Sequence, residues 1–386
     1  MNILFINFEY PPLGGGGGVM TADIARELAN KNTVYVITTA FENLKKYEFI
    51  DGVHVYRVGV IGRTTMPTAT LISLMTFAPA AFFKGLEITR KHAFDVINAH
   101  FIIPSGVPAL MIAQIRKIPL VVTLIGGDIY DPSKEISPHQ HEFLRKTVRF
   151  IARHAQALTA ISHDTKQRAM ELHNIKQSIV VIPIGLVPTN AEKLPREALG
   201  FTDQDFVCVS IGRLVPRKGY DTLLETFKQL PNAKLIIIGD GPMKRGLESK
   251  IAKYEISERV HLAGFVPEKE KQAMLRSADL YVSAAQHEGF GIVFLEAMDA
   301  GLPIVAANDG GQKDFLEHGS NALLVAPHDA KGIATAITNL IEHPEIRKNM
   351  SDRNMHDVKK YYIQHTASLL EQQLLNAIKS YDEYRN

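Results

Sequence analysis

The sequence predicts an α/β protein of two domains, each built on a parallel sheet flanked by helices. Three observations carry that prediction. The chain has 386 residues, more than one ordinary core of roughly 100 to 200 residues accommodates. Short apolar, β-branched runs alternate with longer segments of helical period, as expected of parallel strands covered on both faces by crossover helices. That alternation occurs twice, on either side of a stretch with no sustained period.

The first series places strands at 2–8, 33–39, 53–58, 95–100, 120–126, 157–162 and 179–183. The second places them at 206–212, 234–239, 260–265, 279–284, 303–307 and 322–326. Between the two lies 185–200, with Pro188, Pro195 and polar residues, which reads as a linker. Beyond about residue 330 the strand signal stops, and the chain ends in an amphipathic helical stretch at 366–381. In open α/β sheets ligands bind beyond the carboxyl ends of the strands. The residues that follow strands are therefore the candidates for function.

Composition narrows the classes. Hydrophobic residues at 46% and charged residues at 22% describe a folded globular chain. A balance of 43 Lys and Arg against 41 Asp and Glu lacks the basic excess of a dedicated nucleic-acid binder. Cys208 is the only cysteine, so neither an internal disulfide nor a cysteine-based metal cluster is expected, in keeping with a reducing, cytoplasmic setting. Met1 runs directly into a strand-like segment, with no sign of a signal peptide. No run reaches the ~18 uninterrupted apolar residues of a membrane span. The nearest, residues 71–83, is broken by Ser73, Thr76 and Pro79.

Five motifs sit at strand ends. Gly14 to Gly18 follow the first strand and precede a helix, where backbone without side chains can approach a phosphate or sugar. The same glycines also suit a purely structural turn. In GRLVPRKG, Gly212 to Gly219, the cations Arg213 and Lys218 can converge on a diphosphate, each charge-assisted bond contributing roughly 1.5 to 3 kcal/mol. A solvated basic loop is the plainer reading.

HEGFGIVFLEAM, His287 to Met298, is the most informative stretch. Its helix is expected to start around Gly289 to Gly291, with Ile292 and Glu296 one turn apart on a shared face. Amides at the helix start suit a phosphate, and Glu296 can accept from two ribose hydroxyls. Two buried carboxylates next to a diphosphate need hydroxyls or cations to satisfy them, which points to a polyol ligand. A capping role for Glu288 and a solvated Glu296 are the plainer alternatives. The turns GDGP, with Gly241, and AGFV, with Val266, can wall a base or ribose pocket. The scattered histidines His100, His139, His141 and His287 lack metal-ligand spacing, and no protein-bound metal is expected. No nucleophile elbow and no Walker loop is present.

In this order GRLVPRKG, GDGP, SADLYVSA, the Glu288/Glu296 pair and AGLPIVAANDGG resemble the family 4 retaining glycosyltransferases, which have the GT-B fold, over nearly the whole chain. The resemblance implies two Rossmann-like domains facing across a cleft, at 1–187 on the acceptor side and 188–362 binding a nucleotide sugar. A C-terminal helix at 363–386 would cross back to the first domain. It implies that Arg213 and Lys218 hold a diphosphate, Glu296 the ribose and Glu288 the transferred sugar's hydroxyls. Phe290, Gly291 and Ile292 would offer backbone contacts, with Gly212, Gly241 and Val266 around the nucleotide and Gly15 and Gly16 closing from the first domain. The family's T-x-H-G-x-D appears here as Thr123, Leu124, Ile125, Gly126, Gly127, Asp128. Its histidine is replaced by Ile125, while Asp128 is kept as a candidate catalytic or acceptor contact. Asp314 stands where the family frequently has Glu.

The expected activity is metal-independent transfer with retention, from a UDP- or GDP-sugar to a sugar, lipid-linked or other hydroxyl acceptor, in glycan, glycolipid or envelope polysaccharide synthesis. No cofactor beyond that co-substrate and no nucleic-acid partner is expected. An epimerase, a sugar phosphorylase and a non-catalytic nucleotide-sugar binder are the alternatives. Residues 70–86, apolar almost all round and followed by Arg90 and Lys91, read either as a core helix or as a surface that meets membrane or a lipid-linked acceptor.

Overall fold

The computed structural model describes residues 1–66, 68–132 and 136–385. It forms two compact units, Met1–Gly185 with Ile363–Asn386, and Leu186–Tyr362. Both are α/β, each with its own sheet.

The first unit carries β1 (Asn2–Ile6), β2 (Thr33–Thr39), β3 (Tyr47–Ile50), β4 (Val53–Val58), β5 (Val96–His100), β6 (Leu120–Leu124), β7 (Ala157–Ala160) and β8 (Ile179–Val181). They lie in the order β3-β4-β2-β1-β5-β6-β7-β8. All neighbours pair parallel except β3 with β4. In β1, Ile3 to Ile6 are fully buried, as expected of a strand with helices on both faces. The antiparallel β3 is a correction to the sequence reading, which placed no strand there. Its side chains alternate between exposed and half-buried, and it joins β4 through Asp51-Gly52, both at positive φ.

The helices of this unit are α1 (Gly16–Ala29), α2 (Leu71–Lys91), α3 (Gly106–Arg116), α4 (Glu142–His154) and α5 (His163–His173), with α12 (Ile363–Arg385) packed on α1. By length and composition α2 passes for a membrane span, but Phe77 and Ala81 on it are fully buried in the core of the unit. Ser73, Phe77, Ala81, Gly85 and Ile88 form a buried stripe, while Ile72, Met75 and Phe83 form an exposed one.

The second unit carries β9 (Phe206–Ile211), β10 (Ala233–Ile238), β11 (Val260–Gly264), β12 (Leu280–Ser283), β13 (Ile304–Ala307) and β14 (Ala322–Val325). The order is β11-β10-β9-β12-β13-β14, all parallel. Between and after them run α6 (Tyr220–Lys228), α7 (Lys244–Lys253), α8 (Glu268–Ser277), α9 (Ile292–Asp299), α10 (Ala330–Glu342) and α11 (Pro344–Asp357). The chain winds outward from β9 to one edge, then restarts at β12 on the other side. Such a reversal opens a crevice at the carboxyl ends of the two central strands. In this unit those ends carry the loops at 212–219 and 284–291; in the first unit the reversal lies between β1 and β5.

Candidate active site

The loop after β9 is shaped by close backbone approach. Gly219 caps α6 with φ of +68°, and a Cβ there would lie 2.0 Å from the Ala284 carbonyl oxygen, so only glycine lets this turn rest on the end of β12. The Tyr220 hydroxyl donates to the Gly212 carbonyl at 3.0 Å, and the Gln286 amide donates to the Arg217 carbonyl at 2.8 Å. The first bond closes the basic segment on itself, and the second ties it to the loop that bears Glu288.

Glu288 is buried, yet it is neither a helix cap nor solvated. Its Oε1 accepts from the Lys218 ammonium, and its Oε2 lies 3.5 Å from Arg217 Nη1. Burial alone would raise its pKa, but Lys218 and Arg217 together hold the carboxyl below the ordinary range. Burial pulls the Lys218 ammonium down, with Arg217 and Arg213 adding repulsion and Glu288 opposing both. The plainer reading of a solvated basic loop fails for Lys218, whose side chain is 12% exposed. Arg213 is exposed beside it.

Glu296 is also buried, one turn into α9, and accepts from Lys271 Nζ of α8 at 2.8 Å. Lys271 also pairs with the exposed Glu268 at 2.9 Å. Burial of Lys271 lowers its pKa, but Glu296 and Glu268 outweigh it, and the net shift is upward. The charges of Glu288 and Glu296 both reach the buried Tyr281 phenol, whose pKa burial raises first and the two acids raise further. The two carboxylates therefore share one neighbourhood.

Gly291 caps α9 with φ of +91°, and no side chain caps that helix. A Cβ at Gly291 would stand 2.5 Å from the Phe294 ring. The first amides of α9, at Ile292 and Val293, thus lie at the same crevice as Lys218, while that of Phe294 donates to the Gly291 carbonyl at 2.9 Å. The Phe290 ring is buried against Phe315 at 5.0 Å, which leaves its backbone to serve the site. Gly241 packs on the Leu214 backbone in the turn after β10. Val266 is half-buried just before α8, the helix that carries Lys271.

In the first unit Gly15, Gly16 and Asp128 gather at the ends of β1 and β6. Both oxygens of Asp128 accept backbone amides, from Ile125 at 3.0 Å and Ile102 at 2.6 Å, so this acid fixes two loops. The five glycines are not equivalent. A Cβ at Gly14 would strike Glu9 and one at Gly17 the Phe101 ring, whereas Gly15 and Gly16 face open space. Ile125 is buried near Gly17. Below them, His100 is fully buried between Thr21 Oγ1 at 2.7 Å and Asn98 Oδ1 at 2.9 Å, and burial drives its pKa down to about 3. That imidazole stays neutral and braces the glycine loop.

The empty space at Gly16 makes a prediction. Gly16→Ala should stabilise the start of α1 by about 0.5 to 1 kcal/mol, while its methyl occupies the opening and slows turnover. Thermal denaturation beside steady-state assays checks this. A variant equally stable and equally active would remove the glycine's functional role.

Arg217 and Lys271 were missed by the sequence reading. Arg217 had a signal in its adjacency to Lys218; Lys271 had none, lying 25 residues from its partner.

Two Rossmann-like α/β units, each on its own largely parallel sheet, are the architecture of the GT-B fold. Residues 14–189 match the model for Glycosyltransferase Family 4, and residues 192–357 that for Glycosyl transferases group 1. An uncharacterized glycosyltransferase of Methanocaldococcus jannaschii, MJ1607, is 30% identical over 383 residues, covering 94% of each chain. The chain belongs to the family 4 glycosyltransferases of the GT-B fold. Among solved structures, sucrose-phosphate synthase from Thermosynechococcus elongatus matches with a TM-score of 0.84 at 20% identity, covering 98% of this chain and 100% of that one. Anabaena HepE in complex with UDP and glucose matches with a TM-score of 0.78 at 23% identity, covering 97% and 100%.

Proposed function

We propose that this glycosyltransferase moves a hexose from a UDP- or GDP-sugar to a hydroxyl acceptor with retention and without a resident metal, in glycan, glycolipid or envelope polysaccharide synthesis. The observation that carries the reading is the buried Lys218–Glu288 ion pair at the sheet's switch point, beside Arg213 and the open amides of α9. HepE, similar in fold, was captured with UDP and glucose.

In this mechanism the departing diphosphate gathers negative charge. Lys218, Arg213 and the α9 amides neutralise it where it develops, which is preorganised electrostatic stabilisation. Glu296 holds the ribose and Glu288 the hydroxyls of the transferred sugar. The leaving phosphate takes the proton of the acceptor on the same face. Asp128 keeps its loop in shape, while Gly15 and Gly16 leave room for substrate.

The experiment is a thermal-shift screen of UDP-, GDP- and ADP-sugars, followed by product analysis with acceptor. A donor at 100 times its Kd adds about 2.7 kcal/mol of stability, and its sugar should appear on acceptor with its anomeric configuration kept. Inversion would refute retention. Turnover that needs no acceptor would mark an epimerase, and binding without turnover a nucleotide-sugar-binding protein.

A peripheral contact with the inner face of the membrane is part of the proposal. It rests on the exposed Ile72, Met75 and Phe83 of α2 and on α4, where Phe143, Lys146, Phe150 and Arg153 share an exposed stripe. Aromatic rings alternating with cations suit an anionic interface. Flotation with anionic liposomes should carry the wild type and lose a Phe143→Ser/Phe150→Ser variant. Failure of the wild type to float would end the idea and leave a cytoplasmic enzyme.

A further inference from the structure

Glu288 is one buried acid facing two cations, and the proposed mechanism withdraws one of them. Lys218 Nζ sits on Oε1, and the same ammonium is the group assigned to the diphosphate. A carboxylate this buried, its side chain 8% exposed, does not stay ionised once its counterion leaves.

Arg217 is held differently from Lys218. Its Nη1 donates to the His287 carbonyl at 3.2 Å and lies 3.5 Å from Glu288 Oε2, while its own carbonyl accepts from the Gln286 amide at 2.8 Å. Side chain and backbone are both tied to the segment that bears Glu288. A guanidinium also keeps its charge at every working pH and presents several donors in a fixed plane. Lys218, on a flexible stem, can turn; Arg217 is anchored where it stands.

We propose that Arg217 is the resident counterion of Glu288, which takes over the carboxylate when the donor's diphosphate draws Lys218 away and so keeps the acid charged and aimed at the transferred sugar. This rests on the assignment of Lys218 to the diphosphate. Arg217 is a positioning residue; it acts through Glu288. The other titratable groups that face Glu288 are His287 beside it, with Asp309 beyond at 3.9 Å, and the phenols of Tyr220 on α6 and Tyr281 on β12. Neither phenol titrates at acid pH, since burial raises both.

The pH profile separates the two cations. The acid limb of kcat/KM reports the free enzyme, where Lys218 still guards Glu288, and that of kcat reports the donor complex, where Arg217 alone remains. In Arg217→Gln the kcat limb should move up by about one pH unit or more, the usual effect of losing an opposite charge beside a carboxylate. The kcat/KM limb should move much less, and Arg217→Lys should restore most of the kcat profile.

A merely structural role would lower kcat at every pH and leave both limbs in place. That result, or limbs that move together, overturns the inference. Lys218→Ala measured alongside keeps the failures apart. Loss of transfer there with an unmoved limb in Arg217→Gln refutes the counterion and spares the mechanism, whereas a wild type that transfers no sugar overturns both.

Discussion

Lys218→Ala is expected to cut sugar transfer by about 10²- to 10³-fold, the effect of removing one preorganised donor from a developing oxyanion. It should also destabilise the protein, because Glu288 then keeps its charge in a buried site with its nearer partner gone. Breaking a buried ion pair from one side costs about 3 to 5 kcal/mol. The lower end applies here, since Arg217 stays 3.5 Å from Oε2.

The sign of the pH dependence follows from the same geometry. The folded-state pKa of Glu288 is depressed, so its contribution to stability is present above the ordinary carboxylate range and is lost as pH falls through the folded value. The variant should therefore be weakened most near neutral pH and approach the wild type in acid. A Lys218→Ala/Glu288→Gln double variant removes the orphaned charge and should recover stability while staying inactive. Denaturant unfolding across pH with parallel transfer assays checks each part. An unaltered midpoint at neutral pH in Lys218→Ala would mean that the pair is not the buried contact described.

The strands of both sheets were legible because burial on both faces writes uninterrupted apolar runs, as in Ile3 to Ile6. β3 was not, because an edge strand with one exposed face writes no such run. Its signal was the Asp51-Gly52 turn before β4.

At the site, the motifs located Lys218, Glu288 and Glu296, and spacing placed Glu296 one turn into α9. Burial decided what spacing left open. A solvated basic loop and a buried ion pair have the same sequence, and what separates them for Lys218 is packing, with Gly219 resting on Ala284 and the Gln286 amide bonded to the Arg217 carbonyl. By composition alone the glycine run did not tell its members apart, and only the family resemblance singled out Gly15 and Gly16. Yet Glu9 and Phe101 require glycine at 14 and 17, and nothing nearby requires it at 15 and 16. Arg217 and Lys271 gain their roles from contacts that no periodicity encodes.

The pair at the far end of the site supports the other large expectation. Glu296 accepts from Lys271 at 2.8 Å, and the second partner of Lys271, Glu268, is exposed and contributes little. Lys271→Met should take from the buried Glu296 the ammonium it now accepts from and destabilise the protein by about 3 kcal/mol. Since the folded-state pKa of Lys271 is raised, its share of the wild-type stability is complete below the ordinary lysine range and disappears as pH rises through the folded value. The gap between variant and wild type should thus close in strong alkali, and also in acid, where protonating Glu296 removes the charge that Lys271 balances.

Glu296→Gln removes the charge and keeps the shape, so its main effect falls on the donor. Two hydroxyl bonds to a carboxylate at roughly 1.5 to 3 kcal/mol each weaken to ordinary neutral bonds, and donor affinity should fall by about 10- to 100-fold with kcat changed less. A 2′-deoxyribose donor tells whether ribose is the group held. The wild type should discriminate against it and Glu296→Gln should do so less, because the charge that strengthens that bond is gone. If the wild type binds both donors equally, Glu296 serves something other than ribose, and its pairing with Lys271 is a matter of packing alone.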